Sequence, residues 1–127
     1  IHVISVDGTS FKRYLELAKL LSIKVAAIRD NDRDYAANCV ANYADHLSEC
    51  IQVFADPDND RHTFEVCIFQ DNQRICEELF AAGRRTLSVE DYMLKNKTDA
   101  AFLLLDKKGT ELSSPAYIQQ AVAWIRA

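Results

Sequence analysis

Three aspartates at alternate positions, Asp30, Asp32 and Asp34, close a short apolar run and carry the strongest chemical signal in the sequence. Two carboxylates two residues apart leave an extended chain on the same side, so one divalent cation reaches both Asp30 and Asp32 if the strand persists through them. Hard ions such as Mg²⁺ and Mn²⁺ take carboxylate oxygens and keep places for water or a phosphate, which suits phosphate-ester chemistry. Asp34 extends the run to D-x-D-x-D. A calcium loop of the EF-hand type is excluded, because Tyr35 stands where Gly is required and Ala41 where Glu is required. The second run, Asp56, Asp58 and Asp60, fails in the same way at Arg61 and Cys67, and its Pro57 and Asn59 are sufficient for a turn. Glu65 is a lone acid in the apolar run 64–68, either an outward surface residue or an inward metal ligand. Lys97, with Lys95, precedes the apolar run 100–105; a lysine beside a metal site neutralises charge developing on a phosphate, and one at a helix start is otherwise simply solvated.

These residues need elements to hold them. Residues 2–6 alternate and are β-branched, and Asp7-Gly8-Thr9-Ser10 supplies a turn, an N-cap and backbone N–H groups that a phosphate could meet. Apolar residues at 11, 14, 15, 17, 18, 20 and 21 form a helical stripe, and the run 23–28 reads as a second strand stopped by the acidic loop. Strand, helix, strand makes a parallel pair and sets the acidic loop at the carboxyl edge of the sheet, where open α/β folds bind ligands. A second amphipathic helix over 35–47 and a third strand over 50–54 repeat the unit. Residues 63–69 fit a strand or the opening of a helix, and 72–82, 88–95, 98–106 and 115–126 read as helices. The expected fold class is α/β, a small parallel sheet flanked by helices in one domain over residues 1–127.

Composition narrows the function classes. In 127 residues there are 3 Gly and 2 Pro, with 49% hydrophobic and 27% charged residues, so disorder, linkers and collagen-like repeats are excluded. No apolar run approaches the roughly 20 residues of a membrane span, and neither a signal peptide nor a membrane partner is expected. The opening, within a strand and without Met, predicts a piece of a longer protein. The net charge is −4, and residues 1–60 hold 6 basic against 10 acidic residues, which argues against gripping nucleic acid by bulk positive charge. Four cysteines without a C-x-x-C pair read as free thiols in a reducing cytoplasm, not as a zinc site with His46 or His62.

The run from Val3 to Leu15 (strand, then Gly8-Thr9-Ser10-Phe11-Lys12), the Asp30-Asn31-Asp32 triplet, Thr63-Phe64-Glu65 and Lys97-Thr98-Asp99-Ala100-Ala101, in that order, resemble the Toprim domain of OLD-family (overcoming lysogenization defect) nucleases. The resemblance spans nearly the whole chain and implies a Toprim-like, Rossmann-like fold and metal-dependent DNA cleavage as part of an ATP-dependent enzyme, several such enzymes acting in phage defence. It implies that Asp30, Asp32 and Glu65 are metal ligands and catalytic, with Asp34 an extra ligand and Lys97 the cation that supports phosphate cleavage. Two Mg²⁺ or Mn²⁺ ions in the complete site, an ABC-type ATPase domain in the parent chain, DNA as partner and assembly into a homo-oligomer follow from the same resemblance. The family's earlier glutamate motif lies upstream of the first residue here, and no Walker motif occurs. Two alternatives remain: a receiver-like signalling module, which would carry its acidic pair after the first strand instead of Asp7-Gly8, and a Toprim fold that serves assembly or DNA positioning without cleavage.

Overall fold

The computed structural model describes residues 1–7 and 11–127. It is a mixed α/β structure with a small parallel sheet of two strands, flanked by helices. By internal contacts the chain divides into two compact units, Ile1–His62 with Ala116–Ala127, and Thr63–Pro115.

In the first unit, α1 (Phe11–Leu20) leads to β1 (Val25–Ile28), and β2 (Ile51–Phe54) pairs with it in parallel, Val25 opposite Ile51 and Ile28 opposite Phe54. Leu15 and Ala18 of α1 pack with Ala27, Tyr43 and Ile51 as the core, while Leu17, Leu20 and Leu21 of the same stripe stay exposed. The last helix, α6 (Ala116–Arg126), belongs to this unit, and Trp124 tilts against Phe54 with ring centroids 5.9 Å apart. Lys24, the residue before β1, sits over the Trp124 ring with its Nζ 4.7 Å from the centroid, a cation–π contact.

Two expectations are corrected here. Residues 1–7 form no strand, and Ile1, Val3 and Ile4 are exposed; β-branching favours a strand only where a neighbour supplies the ladder, and none of the described residues pairs with this segment. The turn expected at 7–10 lies largely outside the described residues. The helix expected over 35–47 is a π-helical turn, Ala36–Val40, followed by a 3-10 segment, Ala41–His46. The crossover that makes the pair parallel therefore runs through this irregular helical stretch. Strand order still sets the loops: residues 29–34 follow the carboxyl end of β1 and residues 55–62 that of β2, so both acidic runs lie at one sheet edge.

The second unit is helical: α2 (Phe64–Asp71), α3 (Gln73–Leu79), α4 (Val89–Lys95) and α5 (Lys97–Lys108). The segment that fitted strand or helix is thus a helix, started by Thr63, whose Oγ1 accepts from the Val66 N–H. Ile68, Cys76, Phe80, Met93 and Leu104 form its core. Asn72, buried at the junction of α2 and α3, donates to the Ser113 carbonyl and accepts from the Ser113 N–H, tying the segment after α5 to the helices. Among the described residues no helix is long and apolar enough to cross a membrane.

Candidate functional site

The acidic loop after β1 is built around the residue between its two aspartates. Asn31 is 1% exposed, and its side-chain amide donates to the carbonyls of Asp56 at 2.9 Å, Asp58 at 2.8 Å and Arg61 at 3.3 Å. Its Oδ1 accepts from the Arg33 N–H at 2.8 Å, and its own carbonyl accepts from the Asn38 amide. A buried amide needs such partners, and these join the loop of β1 to the loop of β2. Sequence reasoning passed over Asn31. Its one signal was position, a polar residue between two acids at a sheet edge, and its partners lie some 25 residues further on.

The backbone then turns sharply. Asp32 has φ 51° and Arg33 φ 70°, both in the left-handed region, so the strand geometry that would align Asp30 with Asp32 ends before them. Expected as a continuing strand, the D-x-D is a tight turn, because Asn31 folds back onto the β2 loop. Asp32 pairs instead with Arg29, Oδ2 to Nη2 at 2.7 Å. Arg29 also donates to the Asp30 carbonyl at 2.9 Å, the Asn38 carbonyl at 3.2 Å and the buried Tyr43 hydroxyl at 3.1 Å. Burial works against its charge, but the Tyr43 and Asp32 partners outweigh that and hold its pKa above the ordinary arginine value. Beside it, burial pushes the Cys39 thiol up, Arg29 opposing and the aspartates adding to the rise. Asp34 caps the helical stretch that follows, its Oδ1 accepting from the Ala37 N–H at 3.1 Å.

The second acidic run is turn chemistry, as its Pro57 and Asn59 implied. Asp56 Oδ1 accepts from the Asp58 N–H, Asp58 Oδ1 accepts from the Asp60 N–H, and Asp56 Oδ2 pairs with Arg61 at 2.7 Å. All four cysteines are free, three of them buried.

In the second unit the structure brings Glu65 and Lys97 together. Glu65 lies in the first turn of α2 and Lys97 opens α5, with Nζ 3.2 Å from Oε2. The pair sits in a small pocket of about 40 Å³ whose other walls are Phe64, Ile68, Met93, Ala100, Ala101 and Leu104. Glu65 Oε2 is buried and makes no hydrogen bond, so the ion pair supplies charge neutralisation without a well-directed N–H. Lys97 is half exposed and presents the rest of its ammonium to solvent.

Carboxylate oxygens are the right donors for a hard divalent ion, and the unsatisfied Glu65 oxygen accords with one. Among the described residues, however, no three Asp, Glu, His or Cys side chains converge into a cation site. Asp30, Asp32 and Asp34 lie in the first unit, and Glu65 and Lys97 in the second.

Residues 1–32 match the family model described as overcoming lysogenization defect protein-like, TOPRIM domain. The match ends on Asp32, so it includes both carboxylates of the D-x-D, and it supports a Toprim domain of OLD type. No curated protein and no solved structure matches the chain significantly.

Proposed function

We propose that this chain is the Toprim part of a metal-dependent DNA endonuclease of OLD type, working beside an ABC-type ATPase domain in its parent protein and in defence against phage. The observation that carries this reading is the D-x-D: it ends the matched segment and stands at the carboxyl edge of a parallel pair. Asp30 and Asp32 in the first unit, and Glu65 in the second, are the carboxylates that would meet Mg²⁺ or Mn²⁺. A bound ion would polarise the phosphate and lower the pKa of an attacking water. The chain's own groups then have separable tasks. Lys97, anchored by Glu65 but half exposed, meets negative charge on the scissile phosphate. Asn31 keeps the acidic turn folded against the β2 loop.

Plasmid nicking by the parent protein with Mg²⁺, Mn²⁺ or EDTA, alongside Asp30→Ala and Lys97→Ala, tests the reading. Metal-dependent cutting that falls at least a hundredfold in both variants, with the fold intact by circular dichroism, is the expected result. An active Asp30→Ala variant would overturn the assignment of the D-x-D. One observation favours a second reading, assembly or DNA positioning without cleavage: the carboxylates of Asp32 and Glu65 already have cationic partners within the protein. DNA retention without cutting by a folded, metal-loaded parent would decide for it.

A further inference from the structure

The Thr63 cap makes Phe64 and Glu65 the first two residues of α2, and both line the pocket that Lys97 borders from the start of α5. Ile68 follows Phe64 by one turn on the same face and is buried, as are Met93 and Leu104. Phe64 itself stays 41% exposed and the Lys97 side chain 52%, so these two stand at the mouth of the pocket. The interior, about 40 Å³, has room for water and none for a nucleobase. An aromatic face and a cation at one rim match the two parts of a nucleotide, a ring that stacks and a phosphate that carries charge. The chain is acidic overall, at −4, so bulk charge does not supply the grip, and stacking adds attraction that does not depend on it.

We propose that Phe64 stacks on a base of the strand whose phosphate meets Lys97, and that the site therefore takes DNA unpaired at that nucleotide. This rests on the reading of Lys97 as the phosphate-facing cation and adds the substrate class: single strands, or duplexes opened at an end or a bubble. Inside a duplex both faces of a base are covered by its neighbours, so a protein ring reaches one only after it leaves the stack. Every base offers a π face, so the preference is for an unpaired strand and not for a sequence.

The test is binding of a fluorescein-labelled oligonucleotide, as a single strand and as a blunt duplex, to the parent protein in EDTA, which prevents cutting. Anisotropy compares wild type with Phe64→Leu, Phe64→Trp and Lys97→Ala, each checked for its fold by circular dichroism. Wild type is expected to favour the single strand, and Lys97→Ala to weaken both DNAs. Phe64→Leu, which keeps an apolar side chain and removes the ring, weakens single-strand binding about fivefold, the lower range for one stacked base, and leaves the duplex unchanged. Phe64→Trp binds the single strand at least as tightly as wild type, which a purely structural role for the ring would not give, and it decides if Phe64→Leu does not fold. Single-strand binding that Phe64→Leu leaves unchanged or Phe64→Trp weakens, or equal binding of both DNAs by wild type, overturns the stacking; loss of both DNAs in Lys97→Ala then keeps the reading of the lysine. No binding of either DNA by the folded parent, or none lost in Lys97→Ala, overturns that reading and the stacking with it.

Discussion

Replacing Asn31 with Ala removes the amide that joins the two loops at the sheet edge, and with it the hydrogen bonds to the carbonyls of Asp56, Asp58 and Arg61. The expected cost is about 2 kcal/mol, read as a shift in the urea midpoint. Asn31→Asp should cost at least as much at neutral pH, since it sets a carboxylate against three carbonyl oxygens. Cys76 gives a second test at this scale. Burial, with Glu77 adding to it, pushes its thiol up to about 11 from 9.0, and the residue is fully buried. Between those pH values the unfolded chain has lost the proton that the folded chain keeps, so fewer protons are bound in the unfolded state and stability falls as pH rises. The loss is about 3 kcal/mol across the window, present in full above the folded value and absent below pH 9. Unfolding measured from pH 8 to 11 should show this slope in wild type and a flatter one in Cys76→Ala.

At the scale of elements, α2 and α4 differ in the quality of their caps. Ser88 Oγ accepts from the Asp91 N–H at 3.1 Å, whereas Thr63 Oγ1 stands 3.4 Å from the Val66 N–H. Ser88→Ala should therefore lower stability by about 1 kcal/mol and Thr63→Ala by less, compared by thermal unfolding. Legible in the sequence were β1, β2 and the helices after residue 72, whose apolar periods match the faces they bury. Three features were not. Residues 2–6 have strand composition, but a strand also needs a partner, which composition cannot supply. The 35–47 stripe has helical spacing, yet its backbone departs from α geometry at Ala36 and again at Ala41. Asp30 and Asp32 have strand spacing, and Asn31 undoes it through hydrogen bonds to a loop a quarter of the chain away. In the first and third cases what decides is long-range. Glu65 and Lys97 were named from type and from resemblance, but their contact depends on how α2 and α5 pack, which no local pattern encodes.

Across the whole molecule, the parallel pairing of β1 with β2 is what gathers two acidic loops at one edge, one as a candidate site and the other as its brace. The stripe of α1 is only half used, with Leu17, Leu20 and Leu21 exposed. The order of the chain matters as much as its packing. The second unit is continuous, Thr63–Pro115, while the first is split and depends on α6 to cover Phe54 with Trp124. On a ribosome adding roughly 5–20 residues per second, the strands would emerge and then wait several seconds for that helix. Residues 63–115 are complete before then, so the earlier half of the chain is the later to finish folding, its Phe54 ring waiting for Trp124 to cover it.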